Sequence, residues 1–409
     1  MPGDAVLLPI FLATYACVAA TRVPFLRIDR PAAALAGAIA LLAVGLFTLE
    51  EAFHYVDWPV IAFLLGMMIT VAYLELAGFF ALAARWLLRV GRTPRGLLAW
   101  TLVTSALLAA FCVNDTICLL FTPILLHATR TAGLAPLPYL LGLATAANIG
   151  SALTVTGNPQ NMFLGVRSGI GFTHFMAVMT VPVLLGLVLD YAVLAWVYRK
   201  DLAARPLAPE STPLRPFDRV LGTKALLGLA LTLGLFVLRD RFYPQAALLG
   251  GVFCLLTGRV HTREVWQRVD WSILLFFAGL FVVMGGFQKA GYLEGMLAHA
   301  RPWLSDGGVS GHAALAAVAA GLSNLVSNVP AVILLAPLVE QLGASESLWL
   351  VLALAATLAG NFTLIASVAN LIVAEKAAAE GVRIGFFAYL RVGLPVSLAT
   401  VGFGVLWLS

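Results

Sequence analysis

Charge is what this chain lacks most. Of its 409 residues only 11% are Asp, Glu, Lys or Arg, under half the roughly 25% of an ordinary soluble domain. So few ionic groups cannot clothe a water-facing surface. With 61% hydrophobic residues and a mean hydropathy of +0.96, the chain has a lipid bilayer as its solvent. Ligating side chains are also sparse. The six histidines are scattered, and Cys17, Cys112, Cys118 and Cys254 show neither disulfide nor zinc spacing. Without a metal cluster or a nucleophile–base arrangement, nothing points to an enzyme. The net charge of +5 is no nucleic-acid footprint either, because the basic residues follow the loops.

What is there is a series of apolar runs near the roughly 20 residues a spanning helix needs. About ten are found, at 5–23, 31–49, 57–81, 137–165, 173–198, 223–238, 244–257, 271–289, 347–374 and 385–408. Two more stretches, 97–128 and 311–342, are interrupted at their middles by polar residues. The opening MPGDAVLLPIF has no basic n-region and reads as a retained first span, with ACVAA at 16–20 the one counter-signal.

Loop charge orients the spans. Arg22, Arg27 and Arg30 share one loop, Arg85, Arg89, Arg92 and Arg95 another, and Arg199, Lys200, Arg205, Arg215, Arg219 and Lys224 a long linker. Loop 50–57 holds Glu50, Glu51 and Asp57 without a basic residue. Basic loops face the cytoplasm, which predicts an N-terminus outside and a cytoplasmic linker 199–222. If 97–128 enters and leaves on one side, 20 of the 25 Lys and Arg fall inside. Both broken stretches then read as re-entrant hairpins.

The halves repeat at an offset of about 213 residues. Asp57-Trp58 matches Asp270-Trp271, Asn114 matches Asn328, and Asn148 matches Asn361; with four residues looped out, Thr154 and Asn161 match Thr363 and Asn370. Five full spans and one hairpin per half make the second half insert upside down. Inverted repeats with paired interrupted segments are secondary-transporter architecture, with the substrate between the repeats. A channel needs a continuous polar pore, whereas the polar residues here cluster at the breaks.

Those breaks are FCVNDTICLLFTP (111–123), NIGSALTVTGNPQN (148–161), GLSNLVSNVPAVILLAP (321–337) and GNFTLIASVAN (360–370). Non-helical backbone at membrane depth survives only against protein or a water-filled cavity, so the four belong against one another. Helices restarting at Thr116, Pro330, Pro159 and Ala369 would aim free N–H groups at an anion, with no buried Arg or Lys required. Unwound carbonyls with Asn and Thr oxygens suit Na⁺. Asp115 is the only acid in the breaks, and intramembrane acids are functional or paired by default. Asn148 and Asn361 could also be interhelical glue. Glu75 reads as snorkelling, His127 as structural, and Asp190 as either a relay or part of a structural network.

NDTICLLFTPI, NIGSALTVTGNPQN, SNVPAVILLAP and GNFTLIASVANLIV resemble, in order and over nearly the whole chain, the ion transporter superfamily of arsenite permeases, sodium/proton antiporters and divalent-anion/sodium symporters. The resemblance implies a homodimer with a moving transport domain and an elevator-like motion. It marks Asn114, Thr116, Asn148, Thr154, Asn158 and Asn161 in the first half, and Ser327, Asn328, Asn361, Thr363, Ser367 and Asn370 in the second, as substrate ligands. Asp115, with Asn148 and Asn361, would take the coupling Na⁺ or proton. The hairpin tips depart from the Ser-Asn-Thr of dicarboxylate symporters.

The expectation is therefore an all-α integral membrane protein of two inverted repeats, about ten transmembrane helices, two re-entrant hairpins and two broken helices. Repeat one covers 1–198 (hairpin 97–128, broken helix 137–165) and repeat two 223–409 (hairpin 311–342, broken helix 347–374). It would carry a small anion or oxyanion (arsenite, sulfate, citrate or a dicarboxylate) across a bacterial inner membrane with Na⁺ or H⁺. The alternative is a sodium/proton antiporter using the same site. No cofactor beyond Na⁺ and no nucleic-acid partner are expected.

Overall fold

The computed structural model describes residues 4–20, 29–203, 216–239, 241–304, 308–343 and 345–409. Arg22, Arg27, Arg205, Arg215 and half of linker 199–222 (204–215) lie outside the described residues. The described residues form twenty α-helices and no strand. The first ten are α1 (Asp4–Ala19), α2 (Arg30–Ala43), α3 (Leu49–Tyr55), α4 (Trp58–Leu76), α5 (Phe79–Val90), α6 (Pro94–Cys112), α7 (Asn114–Thr131), α8 (Leu137–Ser151), α9 (Pro159–Ser168) and α10 (Phe172–Val197). The second ten repeat them in order: α11 (Arg219–Leu238), α12 (Tyr243–Thr257), α13 (Thr262–Trp266), α14 (Trp271–Lys289), α15 (Tyr292–Leu304), α16 (Val309–Val326), α17 (Asn328–Gln341), α18 (Glu346–Ala359), α19 (Val368–Ala379) and α20 (Phe386–Leu408).

Local chemistry starts these helices where polar residues interrupt the apolar runs. Asp29 accepts from Ala32 N–H (3.0 Å), Thr93 from Gly96 N–H (3.0 Å) and Asn158 from Asn161 N–H (2.8 Å), each supplying an orphan donor of the first turn. Pro31, Pro94 and Pro159 follow in that first turn, where the missing proline N–H costs nothing. Seven helices (α4, α6, α10, α11, α14, α16 and α20) are long and apolar enough to cross a membrane. The apolar α1, α2 and α12 have only 14 to 16 residues, about 21–24 Å at 1.5 Å per residue. The short helices α3, α5, α13 and α15 fill the turns between spans; α5 buries Phe80, Ala84 and Leu87 on one face.

The main helix pairings recur when each helix is exchanged for the one ten places on. Helix α4 packs on α12 as α14 packs on α2; α6 packs on α8 as α16 on α18; α10 and α20 pack on each other. The exchange also reverses direction. Glu75, near the end of α4, pairs with Arg268, just before α14 (3.2 Å), and Lys289, closing α14, pairs with Glu51, just before α4 (3.0 Å). Counterpart helices α4 and α14 thus run antiparallel, which is the inversion the odd number of spans requires. Asp57 and Asp270, their N-caps, mark opposite faces, about 28 Å apart by the 19-residue length of α4.

The chain reverses at each hairpin tip on one residue in the left-handed region, Val113 (φ 64°) and Ser327 (φ 80°), neither a glycine and Val113 β-branched, an uncommon strain. The second arms therefore resume at Asn114 and Asn328, two residues before Thr116 and Pro330, because a single-residue reversal leaves no linker to unwind. Glu340, near the end of α17, reaches Arg167 and through it Asp57; Arg130, near the end of α7, pairs with Glu380 beyond α19.

Candidate functional site

The tips of both hairpins and the restarts of both broken helices line one open cavity of about 440 Å³. Its floor is buried: Asn114, Asn328, Gln160 and Ser367. Its mouth is exposed: Asp29, Asp270, Ser272 and Glu375. Six helices (α2, α7, α9, α14, α17 and α19) begin at its walls, so their positive dipole ends converge on it. The cavity opens on the Asp270 face. On the Asp57 face the ion pairs Arg167–Asp57 (3.0 Å) and Arg167–Glu340 (3.5 Å) tie the chain together.

Beneath the floor runs a buried amide network centred on Asn148. Asn114 Nδ2 donates to Asn148 Oδ1 (2.9 Å), as does Ser367 Oγ (3.2 Å). Asn148 Nδ2 donates to Asn361 Oδ1 (2.8 Å) and Asn370 Oδ1 (3.0 Å). Tyr389 OH also donates to Asn361 Oδ1 (3.0 Å). Backbone carbonyls set the polarity. Asn361 Nδ2 donates to Thr145 O (3.0 Å), and Asn370 Nδ2 to Gly360 O (2.6 Å) and Thr363 O (3.3 Å); a carbonyl can only accept. Those two amides cannot flip, so Asn148 must donate to them and Asn114 must donate to Asn148. Asn114 Oδ1 is then left buried with no partner among the described residues, and so is Asn328 Oδ1 at the equivalent tip. Two unpaired acceptors this deep, 5% and 7% exposed by residue, can take a cation or a solute O–H.

The hydrogen bonds correct one detail of the repeat. Asn161 Nδ2 donates to Ser151 O and Thr154 O as Asn370 Nδ2 donates to Gly360 O and Thr363 O, a constant shift of 209. Thr357, which donates to Asn161 Oδ1 (3.2 Å), is therefore the counterpart of Asn148, which donates to Asn370. Asn361, matched to Asn148 by identity, lies past the end of α18, one residue after its C-cap.

The expected site residues divide into four groups. Asn114, Asp115, Ser327, Asn328 and Ser367 line the cavity. Asn148, Asn361 and Asn370 lie behind it in the network. Asn158, Asn161 and Thr154 brace the first break: Asn158 Nδ2 donates to Ser151 Oγ (2.9 Å), and Thr154 donates to Ala110 O. Thr363 braces the second, donating to Asn324 Oδ1 (3.2 Å). Thr116 faces a smaller side pocket with Asp115, Glu75 and Arg268. Asp190 Oδ2 accepts from Thr145 Oγ1 (2.7 Å), away from the cavity.

Sequence reasoning missed Arg30. Its guanidinium donates to Ser327 Oγ (3.2 Å) and its Nε is buried without a partner, so the cavity does hold a cation. In the sequence it reads as one of the loop arginines; the Asp29-Arg30-Pro31 helix start is the available signal. Asp29, Asp270 and Glu375 were also unforeseen. With Asp115 they set four acids against one arginine.

Similarity to known proteins agrees with this architecture. Residues 15–359 match the citrate transporter family, CitMHS. An uncharacterized transporter of Mycobacterium tuberculosis is 31% identical, covering 99% of this chain and 98% of its own. A silicon efflux transporter of Oryza sativa subsp. japonica is 29% identical over 94% of this chain and 93% of its own. The fold of the YdaH transporter of Alcanivorax borkumensis superposes with a TM-score of 0.61 over 99% of this chain and 97% of that one, at 15% identity. A multi-pass chain of inverted repeats meeting at one polar cavity, matched over 15–359, belongs to the citrate transporter family.

Proposed function

We propose that this protein is a secondary active transporter that carries a small oxyanion, or the oxyacid it comes from, coupled to Na⁺ or H⁺, by alternating access between the repeats. The observation carrying this reading is the cavity itself. Unpaired Asn oxygens, Arg30, Asp115 and converging helix N-termini meet there, supplying acceptors for a cation and donors for a solute. Arg30 and the backbone N–H groups would hold a substrate oxygen; Asp115 with Asn114 Oδ1 or Asn328 Oδ1 would take the coupling ion. The basic loops support a cytoplasmic Asp270 face and an external Asp57 face in a cell membrane, so that this state faces inward.

Charge narrows the substrate. Four carboxylates against one guanidinium disfavour a bare polyanion such as citrate unless cations or protons enter with it. A weakly acidic, hydroxyl-rich solute such as arsenous acid satisfies the same groups without that penalty. The same acid excess favours a sodium/proton antiporter as the second reading.

The test is a thermal-shift panel on purified protein crossing Na⁺ and pH with arsenite, silicic acid, sulfate, citrate and short dicarboxylates. A ligand that binds only the folded state must raise the melting temperature. Stabilisation by one solute that strengthens with Na⁺ or acid supports the coupled carrier. Stabilisation by Na⁺ or pH alone, every solute being silent, selects the antiporter.

A further inference from the structure

The Asp57 and Asp270 faces differ in one respect that the repeat makes informative. Asp57 and Asp270 cap α4 and α14 in the same conformation (φ −79°, ψ 83° and φ −80°, ψ 83°), each accepting from a first-turn N–H, Val60 at 3.3 Å and Ile273 at 3.2 Å. The second oxygen of Asp57 pairs with Arg167. Asp270 has no ion pair among the described residues and faces the cavity. Arg167 lies nine residues past the N-cap Asn158 of α9. Nine residues past the N-cap Ser367 of α19 stands another base, Lys376. The same shift of 209 relates Asn161 to Asn370, so Lys376 is the structural counterpart of Arg167, on the face that is open here.

We propose that the chain carries two mutually exclusive latches related by the repeat: Asp57–Arg167, closing one face in the state described here, and Asp270–Lys376, closing the cavity mouth in the opposite state. The proposal rests on the alternating-access reading. An operation that exchanges the repeats turns this state into the other and carries the first pair onto the second. The latches are unequal. Glu340 adds a second carboxylate to Arg167, whereas Leu126 occupies the equivalent place on α7. The resting protein should therefore favour the state with the Asp270 face open.

Labelling a Ser272→Cys variant, in a background with Cys17→Ser, reads the open mouth without requiring transport. A membrane-impermeant maleimide is added from the Asp270 face of oriented vesicles. Arg167→Gln is expected to lower the ratio of open to closed mouth roughly two- to fivefold, the range an exposed ion pair supplies, and to slow labelling by up to that factor, and Lys376→Gln to leave it unchanged or faster. With Arg167→Gln already present, Lys376→Gln should restore the faster labelling, because both latches are then gone. Independently, an Asp270→Cys/Lys376→Cys pair, with Ser272 left in place and Cys17→Ser, should be bridged by a short bis-methanethiosulfonate, each thiol displacing one sulfinate, as read from the intact mass. If Arg167→Gln leaves labelling untouched and the pair never cross-links, the latches are wrong, whether or not the protein transports. If labelling responds as described while no solute or ion is carried, the latches stand and the transport reading falls.

Discussion

The amide network makes a directional prediction at Asn148. This side chain is 1% exposed and makes four hydrogen bonds, two accepted and two donated. Asn148→Ala deletes all four. At about 0.6 kcal/mol per bond between membrane helices, the loss is about 2.4 kcal/mol, and water from the adjacent cavity can enter the vacated space. Asn148→Asp keeps the shape but puts an oxygen where Nδ2 stood, facing Asn361 Oδ1 and Asn370 Oδ1 at 2.8 and 3.0 Å. Neither neighbour can turn, because their N–H groups are committed to Thr145 O, Gly360 O and Thr363 O. No space opens for water. Two buried acceptors left confronting oxygen cost about 1–3 kcal/mol each, so the Asp variant should be at least as unstable as the Ala variant despite being nearly isosteric. Denaturant titration in mixed micelles gives both numbers. An Asp variant as stable as the wild type would mean that the amides had reoriented, and the polarity derived from the carbonyl anchors would be wrong.

Four other outcomes follow. Asp115→Asn should fold with an unchanged melting temperature but lose coupled transport in proteoliposomes; full activity would remove Asp115 from the mechanism. Arg30→Gln should weaken solute-induced stabilisation at least tenfold in midpoint concentration, the effect of about 1.4 kcal/mol, while leaving that by Na⁺ in place; equal loss of both would make Arg30 structural. Gly393→Ala puts a Cβ 2.1 Å from Asn361 O, an overpacking of about 1–3 kcal/mol, whereas Gly234→Ala meets nothing within 4 Å and should change thermal stability little. Glu51 accepts from Thr48 N–H and pairs with Lys289, which hold its carboxyl below the ordinary carboxylate range. Its contribution is thus complete above that range and lost as pH falls through the lowered value; Glu51→Gln should flatten the acid side of a stability–pH profile.

The fold was legible because lipid imposes strict rules. Asn-Asp-Thr and Ser-Asn-Val-Pro cannot sit against hydrocarbon, so the broken segments had to meet, and both tips do line one cavity. Arg30 was not legible, since as a residue in a run with Arg22 and Arg27 it looks like any positive-inside signal; only the docking of α2 beside Ser327 gives it a role. Asp270 and Asp29 read as helix caps, which they are, and tertiary approach alone adds the cavity. The early restart at Asn114 escaped notice because Val113 carries no glycine-like sign of a left-handed turn. Asn148 was equated with Asn361 by residue type, whereas backbone hydrogen bonds equate it with Thr357; identity is a poor guide where the two halves have drifted by four residues.

That drift has an energetic meaning. Were the two halves identical, exchanging them would return the same molecule turned over, and its two end states would be equal in free energy. A carrier of that kind has no resting side. Every position at which the halves disagree, such as Asn148 against Thr357, Val113 against Ser327 or Leu126 against Glu340, splits that degeneracy. About 1.4 kcal/mol of net splitting already sets a tenfold population ratio. Chimeras in which one half is mutated towards its partner should drive the two populations towards one to one, and the residues that move the ratio furthest are those that set the protein's sidedness.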